Sequence, residues 1–483
     1  MSRNPHNLLI LSDVHLGSDL VHHARPDAPQ RSAASARRDR DLVGLFEWYR
    51  THRPSGQPWR LVIAGDFVDF VGMSVTPPAE LESELSEEER EHGLGSAVGH
   101  ALVKLRLVAQ HHQRVFSALA RFIAAGNSLV VVRGNHDVDL HWRQVQDEFL
   151  RVLQAHAHVS PQQVEFADWF YYEEGLIYVE HGHQYDVYCS YDHLLHPVSP
   201  SDPRRSCASF SDVLIRYVVR PTPGMSEAGH EKAGCLDYLR FAVRLGHRGL
   251  VSLASRFGGA VLALIRLWRE QFSDAANWVR QEHERKMALL AQAQQIGIDR
   301  LRALARLQRP PVTRSLTLLL ASVMLDRIVV GVALFIALLT VLLSTDDWLA
   351  RVGISAAAVG ALAGVGVLWK RQREDIDASA ALRDRAPLLA KLFPAAFVVM
   401  GHTHLPEVHS HPGDLTYVNL GAWAEEDADG STAPLLPATR THLVLERRGE
   451  ELQARLMTWD STHGPRRFGV ACDAPPPSRP EAA

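Results

Sequence analysis

Five short motifs, each placed directly after a run of apolar residues, constrain the fold of this chain more than any other feature. In chain order they are SDVH, GDFVD, GNHD, HGH and GHTH, at residues 12–15, 65–69, 134–137, 181–183 and 401–404. Short runs rich in Val, Ile and Leu indicate buried strands. Because ligands bind outside the carboxyl ends of strands in open α/β sheets, the motifs predict one polar site at a sheet edge.

Similar apolar runs along the chain predict the strands of the fold. They lie at residues 7–11, 61–64, 129–132, 176–180, 396–400, 417–420, 441–445 and 451–459. Helical periodicity over residues 37–51 and 97–125 separates the first three runs. This alternation predicts an α/β fold. The acidic stretch at residues 80–91 predicts a solvated helix or a mobile loop.

The strand-like runs stop near Tyr188 and return after Phe393, which predicts one α/β domain interrupted by an insertion. We assign the following segments: the first part of the domain at 1–187, a helical insertion at 188–311, a transmembrane hairpin at 312–373, the second part of the domain at 374–470 and a disordered Pro-rich tail at 471–483. Within the insertion, residues 240–269 combine apolar side chains with six arginines. Such a helix either lies on a membrane surface or packs on its own domain.

The hairpin is predicted from two runs, 328–344 and 352–369, that contain no charged residue. At ~1.5 Å per residue each run spans roughly 25 Å, close to the hydrocarbon thickness of a bilayer. The alternative is a pair of buried core helices. Gly360 and Gly364 have the spacing that allows close helix approach.

The charges around the two runs predict their orientation. Arg314 and Arg327 precede the first run, and Lys370, Arg371 and Arg373 follow the second. Basic residues favour the cytoplasmic side, so both ends of the hairpin are expected there. We therefore predict a protein of the cytoplasmic membrane whose catalytic domain faces the cytoplasm.

Composition argues against some classes of function. The formal net charge of -4 gives no reason to expect nucleic acid binding. The four cysteines show no CxxC spacing, so free thiols in a reducing compartment are expected. No secretory signal sequence is predicted before the first motif.

The side chains in the motifs suit a pair of metal ions. Metal-assisted phosphoester hydrolysis uses two cations ~3.5–4 Å apart, with at least one carboxylate between them. Asp13 and His15 are two residues apart at a strand end, where a turn can direct both to one metal, and Asp66 is placed to bridge. Asn135 offers an amide oxygen. Imidazoles suit Mn, Fe or Zn, and His181, His402 and His404 each follow an apolar run.

The ordered set of motifs resembles the calcineurin-like metallophosphoesterase superfamily, over roughly residues 7–186 and 393–459. The resemblance implies a four-layer α-β-β-α sandwich with two divalent metal ions, for which we favour Mn over Fe or Zn. It implies that the first metal is held by Asp13, His15, Asp66 and His404. It implies that the second is held by Asp66, Asn135, His181 and His402.

In this resemblance a metal-bound hydroxide attacks a phosphoester or pyrophosphate bond. His136 would stabilise the transition state or protonate the leaving oxygen, and Asp69 would orient His136. Asp137 is expected to be structural. Asn419 and Gly421 are expected to shape the site. His183 and Asp186 are candidates for contact with substrate.

The substrate follows less directly from the motifs. The membrane hairpin and basic helix favour a substrate at the bilayer, and the motifs are distantly similar to the UDP-2,3-diacylglucosamine pyrophosphatase branch. That branch often has Arg where this chain has His136, and its compact members lack a transmembrane hairpin. A lipid-linked phosphoester or pyrophosphate is therefore one hypothesis. The alternatives are a non-catalytic membrane adaptor and a nucleotide phosphodiesterase.

Overall fold

The computed structural model describes residues 6–21, 28–75, 81, 85–222, 246–322, 377–425, 438–448 and 451–469, with short helical pieces between 339 and 364. The tail at 471–483 lies outside the described residues. So does most of the predicted hairpin, including the greater part of both uncharged runs. The hairpin therefore stays a prediction.

The first sheet has seven strands in the order β12-β11-β10-β1-β2-β3-β4. Their bounds are β1 Asn7–Leu11, β2 Trp59–Ala64, β3 Ser128–Val132, β4 Val164–Ala167, β10 Thr441–Arg448, β11 Glu451–Asp460 and β12 Gly464–Arg467. Strands β1 to β4 are parallel, and β10 to β12 continue the sheet in antiparallel fashion. The carboxyl ends of β1, β2 and β3 therefore share one edge of the sheet.

The second sheet has five strands in the order β5-β6-β7-β9-β8. Their bounds are β5 Phe170–Glu173, β6 Ile177–Glu180, β7 Phe397–Met400, β8 Glu407–His411 and β9 Leu415–Asn419. The central strands β6, β7 and β9 are parallel, and the edge strands β5 and β8 pair in antiparallel fashion. This gives a mixed α/β fold with two sheets, as predicted.

Strands from both sides of the insertion pair with each other. In the first sheet Leu9 lies opposite Val444, and in the second sheet Val179 lies opposite Val399. The C-terminal strands therefore complete both sheets begun by the N-terminal part, and they bring the last motif to the same region as the first four.

The described helices are α1 Ala28–Thr51, α2 Glu87–His92, α3 Val98–His111, α4 Gln113–Ala124, α5 Arg143–Gln154, α6 Phe210–Leu214, α7 Gly246–Glu270, α8 Asp274–Ala293, α9 Ile298–Leu307, α10 Leu316–Ser322 and α11 Ala378–Leu392. Short turns of helix also occur at Pro54–Gly56, Val138–His141, Pro161–Gln163, His183–Tyr185, Ile215–Val219 and Val312–Arg314. The periodic stretch at 97–125 forms two helices, α3 and α4, because the helical conformation is interrupted at His112. The side chain of His112 is fully buried against the Gly17 N–H and Asp39.

Three apolar cores hold these layers together. Helices α1, α3, α4 and α5 cover the outer face of the first sheet with side chains such as Phe116. A second core lies between the two sheets, where Ile10 and Val399 belong to one cluster. A third covers the second sheet with α8, α9 and α11, including Leu389. Helices cover the outer face of each sheet, and the inner faces pack on each other, so the parallel strands are buried on both faces. Burial on both faces accounts for their near-continuous apolar sequences.

The basic helix of the insertion is α7, and two of its faces differ. Leu253 and Leu264 are buried against a small core that includes Phe210. Val251 and Leu262 are 70% and 65% exposed. Among the described residues, one stretch, Val251–Glu270, is long and apolar enough to cross a membrane by length and composition. The helix thus packs on its own protein with one face and presents apolar side chains on another.

The acidic stretch differs in part from the prediction of a solvated segment. Helix α2 begins after Ser86, whose hydroxyl accepts a hydrogen bond from the Glu89 N–H. Glu89 is buried, and its carboxylate lies 2.6 Å from Arg205 and 3.2 Å from His100. The prediction was wrong for this residue, since its partners are distant in sequence.

Candidate metal centre

The five motifs meet at one edge of the two sheets, and their backbone is unusual there. Asp13 and Asp66 have φ values of 54° and 53°, and His402 and His404 have values of 69° and 60°. His15 has a φ of 51°. Of the nine non-glycine residues with positive φ in the described chain, five therefore lie in these motifs. Each left-handed residue costs about 1–3 kcal/mol, and such strain clusters where a site requires it. The turns after the strands thus aim carboxylates and imidazoles at one another.

Glycines in the motifs permit the close approach. A Cβ atom at Gly134 would overlap the carboxylate of Asp66, and one at Gly401 would overlap that of Asp13. The backbone N–H of His136 donates to Asp66 Oδ1 at 2.8 Å, and that of His402 donates to Asp13 Oδ2 at 3.1 Å. The glycines let the backbone of the third motif bind the carboxylate of the second, and the backbone of the fifth bind the carboxylate of the first.

The first group of possible ligands consists of Asp13, His15 and His404. The Nε2 atom of His404 lies 3.2 Å from Asp13 Oδ1 and 3.2 Å from His15 Nε2. Asp66 Oδ2 lies 3.8 Å from His15 Nε2. Burial opposes ionisation of Asp13, but the neighbouring histidines prevail and lower its pKa to about 2. This group is therefore anionic and rich in nitrogen donors.

The second group consists of Asp66, Asn135 and His181. His181 Nε2 lies 3.1 Å from Asp66 Oδ2 and 3.0 Å from Asn135 Oδ1. The other ring nitrogen, Nδ1, donates to the carbonyl oxygen of Ala64 at 2.9 Å. That bond leaves Nε2 to face the group. Asp66 approaches both groups, which is the position of a bridging carboxylate.

His402 lies beside the second group, but its Nε2 atom faces elsewhere. The ring centroids of His402 and His181 are 5.3 Å apart. His402 Nε2 lies 3.1 Å from Asp186 Oδ2, and Asp186 is buried. Asp186, which we considered for substrate contact, thus bonds a predicted ligand instead. Only the Nδ1 atom of His402 remains for a metal.

His136 and Asp69 form a hydrogen-bonded pair beside His15, and ligand atoms of the three lie within 4.8 Å of one another. His136 Nδ1 donates to Asp69 Oδ1 at 2.8 Å, and its side chain is 14% exposed. Burial alone would lower the pKa of His136, but the Asp69 and Asp66 carboxylates outweigh burial and raise the pKa well above its usual value. An imidazole held in this way retains a proton that it can donate.

Donor chemistry and spacing both fit a pair of divalent cations. Carboxylate, amide and imidazole donors together suit Mn, Fe or Zn. Adjacent ligands on an octahedral ion with bonds of ~2.1 Å lie about 3 Å apart. Four contacts within the two groups are 3.0 to 3.2 Å, and the His15 Nε2 to Asp13 Oδ1 distance is longer, at 3.9 Å. Asp69 Oδ2 is buried without a hydrogen-bond partner in the described chain, 3.6 Å from His15 Nδ1.

Other residues hold the loops without facing the groups. Asp137 accepts from the N–H groups of Gly134 and Phe67, so it is structural, as expected. Asn419 donates to the carbonyl oxygen of Gly401 at 2.8 Å and accepts from the N–H of Gly421. Both contacts agree with a role in shaping the last motif.

Arg38 was missed by the sequence analysis. Its guanidinium is buried and donates to the carbonyl oxygens of Val14 and His15 at 3.1 and 2.8 Å. It therefore holds the turn that carries the first motif. The neighbours Arg37, Asp39 and Arg40 are charged, so the sequence gives no signal that Arg38 is buried.

The strand order and the clustered Asp, Asn and His side chains define a mixed α/β fold with possible metal-ligand groups at the carboxyl ends of its strands. Residues 6–204 match the model of the calcineurin-like phosphoesterase family, which is a hydrolase family acting on phosphoester bonds. The match includes Asp13, Asp66, Asn135 and His181, and the structure adds the motif at 401–404 to it. No curated protein matches the chain.

Proposed function

We propose that this protein is a metal-dependent phosphoester or pyrophosphate hydrolase that acts at the membrane through a binuclear site. The observation that carries the proposal is the position of Asp66 between the two ligand groups, 3.1 Å from His181 and 3.8 Å from His15. A carboxylate in that position can bind two cations at once, which the two-metal mechanism requires.

The proposed ligands form two sets. The first metal would be held by Asp13, His15, Asp66 and His404. The second would be held by Asp66, Asn135, His181 and His402. Two bound ions, for which we favour Mn, would polarise the phosphoryl group and favour ionisation of an attacking water. The carboxylates and imidazoles of the chain would hold the ions.

His136 is the proposed catalytic residue outside the ligand set. Its Nδ1 atom is held by Asp69, so Nε2 is the nitrogen that can face a substrate. Asp69 pairs with Nδ1, and a protonated imidazole at this position can stabilise charge on phosphorus or protonate the leaving oxygen. Asp69 keeps the ring in this orientation.

A cavity beside this pair supports a substrate with a large organic part. Its volume is about 350 Å³, and it lies between the loops that follow Asp69 and His136 and the helices of the insertion. Phe70 and Val138 line it from the loops, and Leu267 and Arg266 line it from α7. The lining also contains Arg205 and Arg216 and carboxylates such as Glu88 and Glu270, so it is partly apolar and partly charged. A mixed lining of this kind suits an amphiphilic molecule, such as a lipid-linked phosphoester or pyrophosphate.

Two features support action at a membrane. The exposed Val251 and Leu262 of α7 lie on a helix that also lines the cavity. The uncharged runs at 328–344 and 352–369 have the composition of membrane spans. Basic residues at both ends of that segment favour a catalytic domain on the cytoplasmic side of the cytoplasmic membrane.

Hydrolysis by detergent-solubilised full-length protein tests this function. The substrates are bis-p-nitrophenyl phosphate and a lipid-linked pyrophosphate, each measured after chelation and again after Mn is added. We expect Mn to restore cleavage and the lipid-linked substrate to be preferred. Bound metal at two equivalents with no cleavage of either substrate would contradict the proposal and favour a membrane adaptor. Preference for a soluble nucleotide diester would retain the hydrolase and reject the lipid substrate.

A further inference from the structure

Histidines that bind metals usually donate their second ring N–H to a carboxylate or a carbonyl oxygen, which fixes the ring. One of the proposed ligands, His181, follows this rule by a hydrogen bond, and His15 has a carboxylate near its outer nitrogen. His181 donates from Nδ1 to the Ala64 carbonyl oxygen at 2.9 Å. His15 places Nδ1 3.6 Å from Asp69 Oδ2 while its Nε2 faces the ligand groups. The outer nitrogen is therefore hydrogen-bonded in His181, whereas in His15 it lies near a carboxylate oxygen at a distance longer than a hydrogen bond.

His402 has its outer partner in Asp186. The Nε2 atom of His402 and the Oδ2 atom of Asp186 are 3.1 Å apart, and the two side chains are 8% and 3% exposed. Since Nε2 is occupied by this bond, the imidazole can bind a metal only through Nδ1. A ring with one committed nitrogen has a defined tautomer, because the Nε2 hydrogen leaves the Nδ1 lone pair for the metal.

Asp186 is itself fixed, so it can impose an orientation. Its Oδ1 atom accepts the backbone N–H of Tyr188 at 2.9 Å, which leaves Oδ2 for His402. Its carbonyl oxygen accepts the N–H of Ser190 at 2.9 Å. At the other end, the His402 backbone N–H donates to Asp13. The imidazole is held through both its backbone and its outer nitrogen.

We propose that Asp186 is a positioning residue for the second metal: it accepts the Nε2 hydrogen of His402 and so commits Nδ1 to the group of Asp66, Asn135 and His181. This inference rests on the proposed binuclear function. The same geometry allows a different interpretation, since ligand atoms of Asp186, Cys189 and His402 lie within 4.8 Å of one another and could bind an ion of their own. The position of His402 beside His181 favours the first interpretation.

The test measures Mn binding to the full-length protein by calorimetry, with activity as a separate readout. We expect two equivalents in the unmodified protein. Asp186→Ala should weaken one of them roughly 10- to 100-fold, as found for lost outer partners of metal ligands, and leave the other unchanged. Asp186→Asn keeps an acceptor oxygen and should lose less, because the bond loses only its charge. Cys189→Ser should bind as the unmodified protein does.

A thermodynamic cycle separates positioning from general structural damage. His402→Ala should weaken the same equivalent of Mn, and the double variant should be no weaker than His402→Ala alone, since Asp186 acts through His402. Additive losses would overturn the proposal. Unchanged Mn affinity in Asp186→Ala would also overturn it, and a loss in Cys189→Ser would support the separate ion instead. An unmodified protein that binds fewer than two equivalents would refute the binuclear function itself.

Discussion

The metal centre and helix α7 differ in burial and in backbone geometry. At the centre, buried Asp and His side chains converge on strained turns, as at Asp13 and His15. Helix α7 is regular, and it presents apolar side chains such as Val251 and Leu262 to the outside. Strand ends that are fixed by two sheets can hold charges at defined distances. The insertion packs beside them, and in the proposed function its helix α7 contacts the membrane. Variants can therefore separate catalysis from location.

The largest effect is expected at the shared carboxylate. Asp66→Ala removes a donor from both ligand groups, so hydrolysis should fall by at least about 10³-fold, the upper end for loss of one electrostatic contact in an active site. Bound metal, measured by elemental analysis, should fall with it. Asp299→Ala is the control, since the side chain of Asp299 is 93% exposed on α9. Retained metal and activity in Asp66→Ala would refute the bridging role.

The next effect separates His136 from the ligands. His136→Ala should reduce kcat roughly 10²- to 10³-fold, within the range for a positioned proton donor, because the protonated ring beside Asp69 is lost. The protein should still bind two equivalents of metal. Loss of metal together with turnover would place His136 among the ligands.

The contrast between strand ends and other regions also explains what sequence could predict. The eight predicted strands correspond to β1, β2, β3, β6, β7, β9, β10 and β11. The four that were missed, β4, β5, β8 and β12, are the edges of the two sheets. Central strands are buried on both faces and have continuous apolar sequences, whereas edge strands such as β8, with the sequence EVHSH, are largely exposed. The signal used was a run rich in Val, Ile and Leu. The edge strands β4, β8 and β12 are largely not buried and lack such a run, whereas β5 is mostly buried but has the sequence FYYE.

A similar limit applies to the site. Each motif residue could be identified because it directly follows an apolar strand, and the structure brings Asp13, Asp66 and His181 together. Asp186 and Arg38 could not be assigned in this way. Asp186 lies 216 positions from its partner His402, and Arg38 bonds backbone carbonyl oxygens that carry no side-chain pattern. Contacts of this kind depend on tertiary structure alone.

The exposed apolar face of α7 is expected to contact the membrane. Leu262→Asp places a charge on the exposed face of α7, where burial of one leucine at a bilayer contributes about 1.5–3 kcal/mol. Sedimentation with anionic vesicles should weaken roughly tenfold or more, and turnover of bis-p-nitrophenyl phosphate should not change. Val408→Asp is the control, since Val408 is 53% exposed on β8. Equal loss in both variants, or none in Leu262→Asp, would argue against α7 as the membrane face.

The smallest effect tests the connection between the two regions. Helix α2 is capped by Ser86 and supports Glu89, which pairs with Arg205 at 2.6 Å beside the cavity. Ser86→Ala removes the cap and should lower the free energy of unfolding by about 1 kcal/mol, measured by denaturant titration. Metal binding should remain at two equivalents, because no ligand contacts α2 in the described hydrogen bonds. If metal binding also fell, the centre would depend on the packing of the insertion, and the separation between chemistry and location would be incomplete.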